Sequence, residues 1–288
     1  MNPANPVKKT PPNDLGALLR HWRDMRGVSQ LDLSFNAGVS QRHISFIESG
    51  RSVPSRQMLM DIAQTLDVPL RERNTLLLAA GYAPMYADAA WNAQEMQSVT
   101  KALARMLRQH EPFPALVMDR YWNVLMTNES APRFFNCFVD MAARRGPRNM
   151  LHLMFDPEGM RPFVAGWKSV ADSLIQRVYR EAVGRVVDDS TRELLAALRA
   201  YPDVAECEIA GGLGGADSAG ASASPALPVI PIGFVKDGHV LKYFSMVASV
   251  GTPQSVAAQE LRIECMFPAD DETEARHLAM LDALPQQE

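Results

Sequence analysis

Apolar residues recur three and four positions apart at Leu15, Leu18, Leu19, Trp22 and Met25, with arginines between them. That spacing gives one apolar face on an α-helix, which Asn13 or Asp14 can cap and Gly27 ends. Ser29 then caps a helix from Gln30 to Ala37, Gly38 and Val39 form a turn, and Ser40 caps a third helix from Gln41 to Ser49. Pro54 and Ser55 open a fourth, with its stripe at Met58, Leu59, Ile62, Ala63 and Leu66, and a fifth runs from Leu70 to about Ala80, before Gly81.

Beyond Tyr82 the pattern changes. Glu95 to Gln109 reads as a helix that Pro112 and Pro114 stop, and Ala115 to Thr127 as a strand, a turn at Asp119 and Arg120, and a second strand. Helices are predicted over Ala131 to Ala143, Asp156 to Val183 and Thr191 to Arg199. Val229 to Lys236 and His239 to Val250 flank Asp237-Gly238, a strong hairpin signal because the dipeptide tolerates the positive φ of a tight turn, and Glu260 to Phe267 adds a last strand. Strands at both ends with helices between make this an α+β domain whose sheet unites distant segments.

These patterns divide the chain into a disordered leader at 1–12, a five-helix domain at 13–83, a linker helix at 84–111, an α+β domain at 112–268 with a low-complexity loop at 210–226, and a C-terminal helical tail at 269–288. Two lysines near the start lack an apolar stretch behind them, and no apolar run approaches the roughly 20 residues a bilayer requires, so a cytoplasmic protein with no membrane role is expected. Cys137, Cys207 and Cys265 are too dispersed for a disulfide framework or a metal motif and read as buried thiols. The net charge of −4 is uneven: ten Lys/Arg against seven Asp/Glu up to Tyr82 give +3, and the remainder gives −7. A basic first half suits an approach to phosphates.

The spacing Ser29-Gln30-x-x-Leu33, Ala37-Gly38-Val39-Ser40, then Ile44, Ile47, Glu48, Gly50 and Pro54-Ser55, resembles the phage repressor and Cro class of helix-turn-helix proteins, the XRE family, over Leu15 to Ala80. Ser34 stands where that family commonly has alanine. The resemblance implies a lambda-repressor-like domain that binds double-stranded DNA, with Gln41, Arg42, Ser45 and Phe46 of the recognition helix toward base edges, His43 on its flank and Ser40, its cap, also among the DNA-binding residues. Arginine suits guanine, glutamine suits adenine, and Phe46 can pack on a thymine methyl. Gln30 and Arg51 are expected at phosphates, and Arg23 and Glu48 as a structural salt bridge.

Asp119-Arg120-Tyr121-Trp122-Asn123-Val124, Asn128, Phe134-Phe135, Leu153-Met154-Phe155-Asp156-Pro157 and Trp167 resemble the MmyB-like ligand-binding domain, over 112 to about 268. The family's His-Pro-x-x-Gly segment is replaced here by the glycine-serine loop and Pro231-Ile232-Gly233. The resemblance implies a PAS-like sensor fold for a small apolar ligand of the fatty-acyl kind and no other cofactor. Trp122, Phe134, Phe135, Trp167, Tyr243, Phe244 and Met246 are candidate pocket walls, with Arg120 and Asn128 to orient a ligand. The bland alternative makes these residues core, and the C-terminal domain a dimerisation or partner-binding module. An enzyme fused to a DNA-binding domain finds little support. The six histidines show no H-E-x-x-H pattern, no G-x-S-x-G elbow occurs, and GlyGlyLeuGlyGly lacks the Lys-Ser/Thr of a phosphate loop. A non-catalytic, homodimeric transcriptional regulator is the expectation.

Overall fold

The computed structural model describes residues 15–88, 90–182, 188–204 and 231–283. The leader, Asn13, Asp14, the glycine-serine loop and Cys207 lie outside the described residues. The chain forms two compact units, Met1–Ala90 with Thr252–Gln259, and Trp91–Gly251 with Glu260–Glu288. Multidomain architecture, an all-α five-helix part followed by an α+β part, is what the sequence pattern predicts.

The first unit holds α1 (Leu15–Met25), α2 (Gln30–Ala37), α3 (Gln41–Glu48), α4 (Arg56–Thr65) and α5 (Leu70–Ala79). Ser29 and Asp32 form a reciprocal capping box at α2, and Ser40 and Ser55 each accept a backbone N–H at the starts of α3 and α4. Gly38, at φ 65°, takes the left-handed conformation that turns the chain from α2 toward α3. The core is built from the predicted stripes: Leu19, Trp22, Leu33, Ile47, Ile62 and Leu77 are buried, each contributing roughly 1.5–3 kcal/mol or more. Ser34 is accommodated because its hydroxyl donates to the Leu31 carbonyl at 2.7 Å.

One close approach has no counterpart in the hydrophobic pattern. A Cβ on Gly16 would lie 2.5 Å from the Glu48 carbonyl oxygen, so α1 packs with its backbone almost against the end of α3. The segment Thr252–Gln259 also belongs to this unit. It forms a backbone bridge from Ser255 to Ala87, and the Gln259 Oε1 accepts the Leu70 N–H at 2.7 Å. Pro69 precedes α5 and offers no side-chain cap, and Gln259 supplies the missing acceptor.

The second unit contains α6 (Gln97–Gln109), β1 (Ala115–Met118), β2 (Val124–Thr127), α7 (Ser130–Asn136), α8 (Met150–Phe155), α9 (Trp167–Glu181), α10 (Asp189–Arg199), β3 (Ile232–Lys236) and β4 (His239–Ala248). After α11 (Val256–Glu260) come β5 (Arg262–Pro268) and α12 (Asp271–Asp282). The sheet order is β2-β1-β5-β4-β3 with every pair antiparallel, so β1 and β5 from opposite ends of the unit lie side by side, with Ala115 opposite Cys265. Asp237 and Gly238 adopt φ 48° and 78° in the predicted hairpin turn.

The structure differs from the sequence expectation in several elements, and α8 and α11 have no counterpart in it. The helix expected from Asp156 starts at Trp167: Pro157 holds Asp156 extended, and the Asp156 carboxylate accepts the Glu158 N–H. The helix expected to reach Ala143 ends at Asn136, because Asn136 and Asp140 side chains accept the N–H groups of Met141, Ala142 and Ala143. The predicted tail is α12, and its His277 is fully buried. The His277 Nε2 lies 3.0 Å from the Pro112 carbonyl, which can only accept, so Nε2 carries the proton and Nδ1 accepts the Tyr243 hydroxyl at 2.8 Å.

Candidate nucleic-acid interface and ligand cavity

In the first unit, Ile44, Ile47 and Glu48 face inward from α3, while Gln41 and Arg42 are exposed and His43, Ser45 and Phe46 are half-buried. The Ser40 hydroxyl accepts the His43 N–H at 3.3 Å and so stays tied to the helix start. The Phe46 ring carries two guanidinium groups, Arg42 at 5.2 Å and Arg51 at 5.3 Å from its centroid. Arg51 is placed there by backbone geometry: Gly50 turns at φ 71°, and the Arg51 N–H returns to the Phe46 carbonyl at 2.8 Å. Phe46, expected to meet a thymine methyl, is in this structure the platform on which the exposed cations rest. The signal was present as the i, i+4 spacing of Arg42 and Phe46.

Behind that surface the Glu48 carboxylate is buried and shared. Arg23 Nε donates to it at 2.7 Å, Gln30 Nε2 donates to it at 2.9 Å, and Arg20 Nε lies 3.5 Å away. Burial alone would raise the Glu48 pKa; the bonds from Arg23 and Gln30 outweigh it and hold the group below its ordinary value. The Arg23–Glu48 pair is thus present as expected. The Gln30 amide, expected at a phosphate, has one N–H engaged by Glu48, and its NH2 carries a second donor.

In the second unit, two neighbouring cavities share Leu116, Phe135 and Met150 in their walls. The inner one, about 40 Å³, is lined by Trp122, Tyr243 and Ser245 and is polar at the Arg177–Glu264 pair. Arg177 donates twice to Glu264, at 3.1 Å each, and its guanidinium lies 4.6 Å from the Trp122 ring centroid. Trp122 sits at φ 67°, a left-handed conformation that a bulky residue seldom adopts and that functional sites tend to store. The second cavity, about 160 Å³, is bounded by Val124, Leu153, Arg144 and Arg148.

Of the pocket residues expected from sequence, Trp122, Phe135 and Tyr243 line the inner cavity. The other six are placed elsewhere. Arg120 is buried in ion pairs with Glu260 (2.9 Å) and Asp188 (3.3 Å), and Asn128 clamps backbone groups of Phe113, Ala115 and Ala131. Phe134 is fully buried at the centre of an aromatic cluster with Phe138, Phe234 and Tyr243. Trp167 packs edge-on against Phe155 under the Arg161 guanidinium. On β4 the alternation of faces sends Tyr243 and Ser245 to the cavity, while Phe244 stacks on Phe267 and Met246 is 61% exposed. Arg177, Glu264 and Ser245 were missed because polar residues scattered over a helix and two strands carry no spacing of their own.

Among the described residues, no helix is long and apolar enough to cross a membrane, and no group of three or more His, Cys, Asp or Glu residues is arranged to hold a metal. The first unit carries a third helix with an exposed outer face and the second is an α+β unit with apolar cavities, and the family matches to these two parts support a DNA-binding transcription regulator with a ligand-binding domain. Residues 99–280 match the MmyB-like transcription regulator ligand binding domain, and residues 19–73 match a helix-turn-helix family. The chain belongs to the MmyB-like transcription regulator family. No curated protein matches it.

Proposed function

We propose that the chain is a sequence-specific regulator that acts as a cytoplasmic homodimer, reads DNA through α3 and responds to a small apolar, fatty-acyl-like ligand in its second unit. The observation that carries the DNA half is the Phe46 platform, which supports Arg42 and Arg51 on one exposed face. A guanidinium resting on a ring has fewer orientations to lose on binding than one free in solvent. In this reading Arg42, with Gln41 and Ser45, addresses base edges, and Arg51, with Gln30, addresses phosphates. Two copies would place their α3 helices in successive major grooves, roughly 34 Å apart.

The ligand half rests on the two cavities, whose walls are mostly apolar. Chain connectivity supports a route between the halves. Ser245 and Glu264 of the inner cavity stand on β4 and β5, and the chain between these strands includes Thr252–Gln259, which is part of the DNA-binding unit. A ligand that changed the spacing of β4 and β5 would act on the segment that caps α5. Such coupling requires a difference in ligand affinity between two states, of about 1–3 kcal/mol in typical cases. The reading is of a binding protein and not a catalyst.

Selection from randomised duplexes at moderate salt tests the first half, with an enriched motif of two related half-sites expected. No enrichment would remove the regulator reading. Native mass spectrometry of protein purified from cells tests the second, with a co-purifying small molecule expected. Its absence, together with an intact dimer, would favour a module for dimerisation alone.

A further inference from the structure

The described part of the first unit holds eight arginines and no lysine. Five of the arginines are bonded within the fold: Arg20 and Arg23 to Glu48, Arg26 to the Leu66 carbonyl, Arg71 to Asp88 and Arg73 to the Val68 carbonyl. The other three, Arg42, Arg51 and Arg56, have no carboxylate or carbonyl partner among the described residues, and each rests on an aromatic ring. Phe46 carries the first two, and the Arg56 guanidinium lies 5.6 Å from the ring centroid of Tyr82. Arg56 is exposed, and the first turn of α4, which it opens, contains no acidic residue to compete for it. A cation that the fold orients but leaves unpaired is available to a polyanion.

Backbone geometry brings Tyr82 to this position. Gly81 turns at φ 80° past the end of α5, and the Tyr82 N–H returns to the Leu77 carbonyl at 2.8 Å. The Tyr82 hydroxyl donates to the carbonyl of Pro54, a buried residue, at 2.9 Å. The loop between α3 and α4 is thus fixed at both ends: the Arg51 and Ser52 N–H groups donate to the Phe46 carbonyl at 2.8 and 3.2 Å, and Tyr82 holds Pro54. Arg56 follows Ser52 by four residues, at most roughly 14 Å of extended chain, and a duplex presents several phosphates over that length. We infer that Arg56 contacts a DNA phosphate beside α3 and that Tyr82 is its positioning residue, the ring orienting the guanidinium and the hydroxyl locking the ring to the loop. This rests on the reading of α3 as the helix that addresses DNA, and it adds to that surface one phosphate contact and a residue that follows α5.

The test titrates the full-length protein with the selected duplex and with random DNA at about 50 and 200 mM salt. Arg56→Ala changes an exposed side chain and should keep the fold. It should weaken both duplexes and lower the salt slope by about one, so that the loss of affinity between the two salt concentrations shrinks by about 3.5-fold. Tyr82→Leu should weaken both duplexes by no more than Arg56→Ala does, and Tyr82→Phe, which keeps the ring, should recover most of that loss. Neither Tyr82 variant should add to Arg56→Ala when the two changes are combined. A salt slope unchanged by Arg56→Ala would overturn the phosphate contact. A loss from either Tyr82 variant that persists undiminished in the Arg56→Ala background would overturn the positioning role. Losses from Arg42→Ala and Arg51→Ala with Arg56→Ala silent would overturn this inference and leave the reading of α3 standing, and no loss from any of the three would remove both.

Discussion

The two units reached their sites by different routes. In the first, the residues that face outward from α3 and those that hold it lie mostly within Arg20 to Arg51, and each polar group has a local reason for its position. In the second, the cavity walls come from all five strands of the sheet and from α7, α8 and α9, elements spread from Leu116 to Met266. A short-range pattern can specify the former. The latter exists only after a sheet of order β2-β1-β5-β4-β3 has closed around segments far apart in sequence.

The largest effect is expected where the first unit has staked a buried charge. Glu48→Ala removes the acceptor of Arg23 and Gln30, and the loss of one partner from a buried pair typically costs about 3–5 kcal/mol. Hydrogen exchange read over residues 15–80 should collapse, with protection of the sheet in the second unit preserved. Because Glu48 is held below its ordinary pKa, its contribution is present at neutral pH and is lost as pH falls through that depressed value.

Gly16→Ala comes next. The new methyl would meet backbone and not a movable side chain, so an overpacking cost of about 1–3 kcal/mol is expected in the same peptides. A response that did not exceed the scatter of surface substitutions would show that α1 can move away from α3 freely.

The second unit should respond to acid in a different window. Burial lowers the pKa of His277 below its ordinary 6.5, although its bond to the Pro112 carbonyl acts the other way. The unfolded chain therefore binds a proton that the folded chain refuses, and stability falls as pH drops from 6.5 toward the depressed value. The protonated ring would also lose its capacity to accept from Tyr243. Sheet protection that weakens below neutrality, before the first unit responds, would match; identical acid profiles for both units would not. The smallest effect belongs to Met246→Thr, within about 0.5 kcal/mol, because that side chain faces away from the cavity and is 61% exposed.

These contrasts also explain what was legible in the sequence. Caps, turns and apolar stripes placed all five helices of the first unit, and the Arg23–Glu48 pair followed from the motif. The Asp237-Gly238 hairpin was equally plain. Within β4, however, the choice of Tyr243, Phe244 and Met246 as one set violates the two-residue alternation of a strand, and only Tyr243 and the unselected Ser245 face the cavity. Arg120 and Asn128 are polar residues beside apolar, family-like segments, which suits ligand groups, but their partners, Glu260 and the backbone near Phe113, are known only once the chain has folded. His277 had no periodic signal, since most apolar residues of α12 crowd into Leu278–Leu281 and a histidine's ring contacts with Phe113 and Phe134 and its hydrogen bond with Tyr243 form only on folding.

The central claim is that the outer face of α3 reads base pairs, with Arg42 specifying sequence and Arg51 supplying affinity from the same aromatic support. It is tested most directly by titrating Arg42→Ala and Arg51→Ala against the selected duplex, its single-base variants and random DNA across a range of salt. Arg42→Ala should lose about 1–3 kcal/mol on the selected duplex, concentrated at one base position, and little on random DNA. Arg51→Ala should weaken all duplexes alike and lower the salt slope by about one. Equal losses on selected and random DNA for Arg42→Ala would contradict the account.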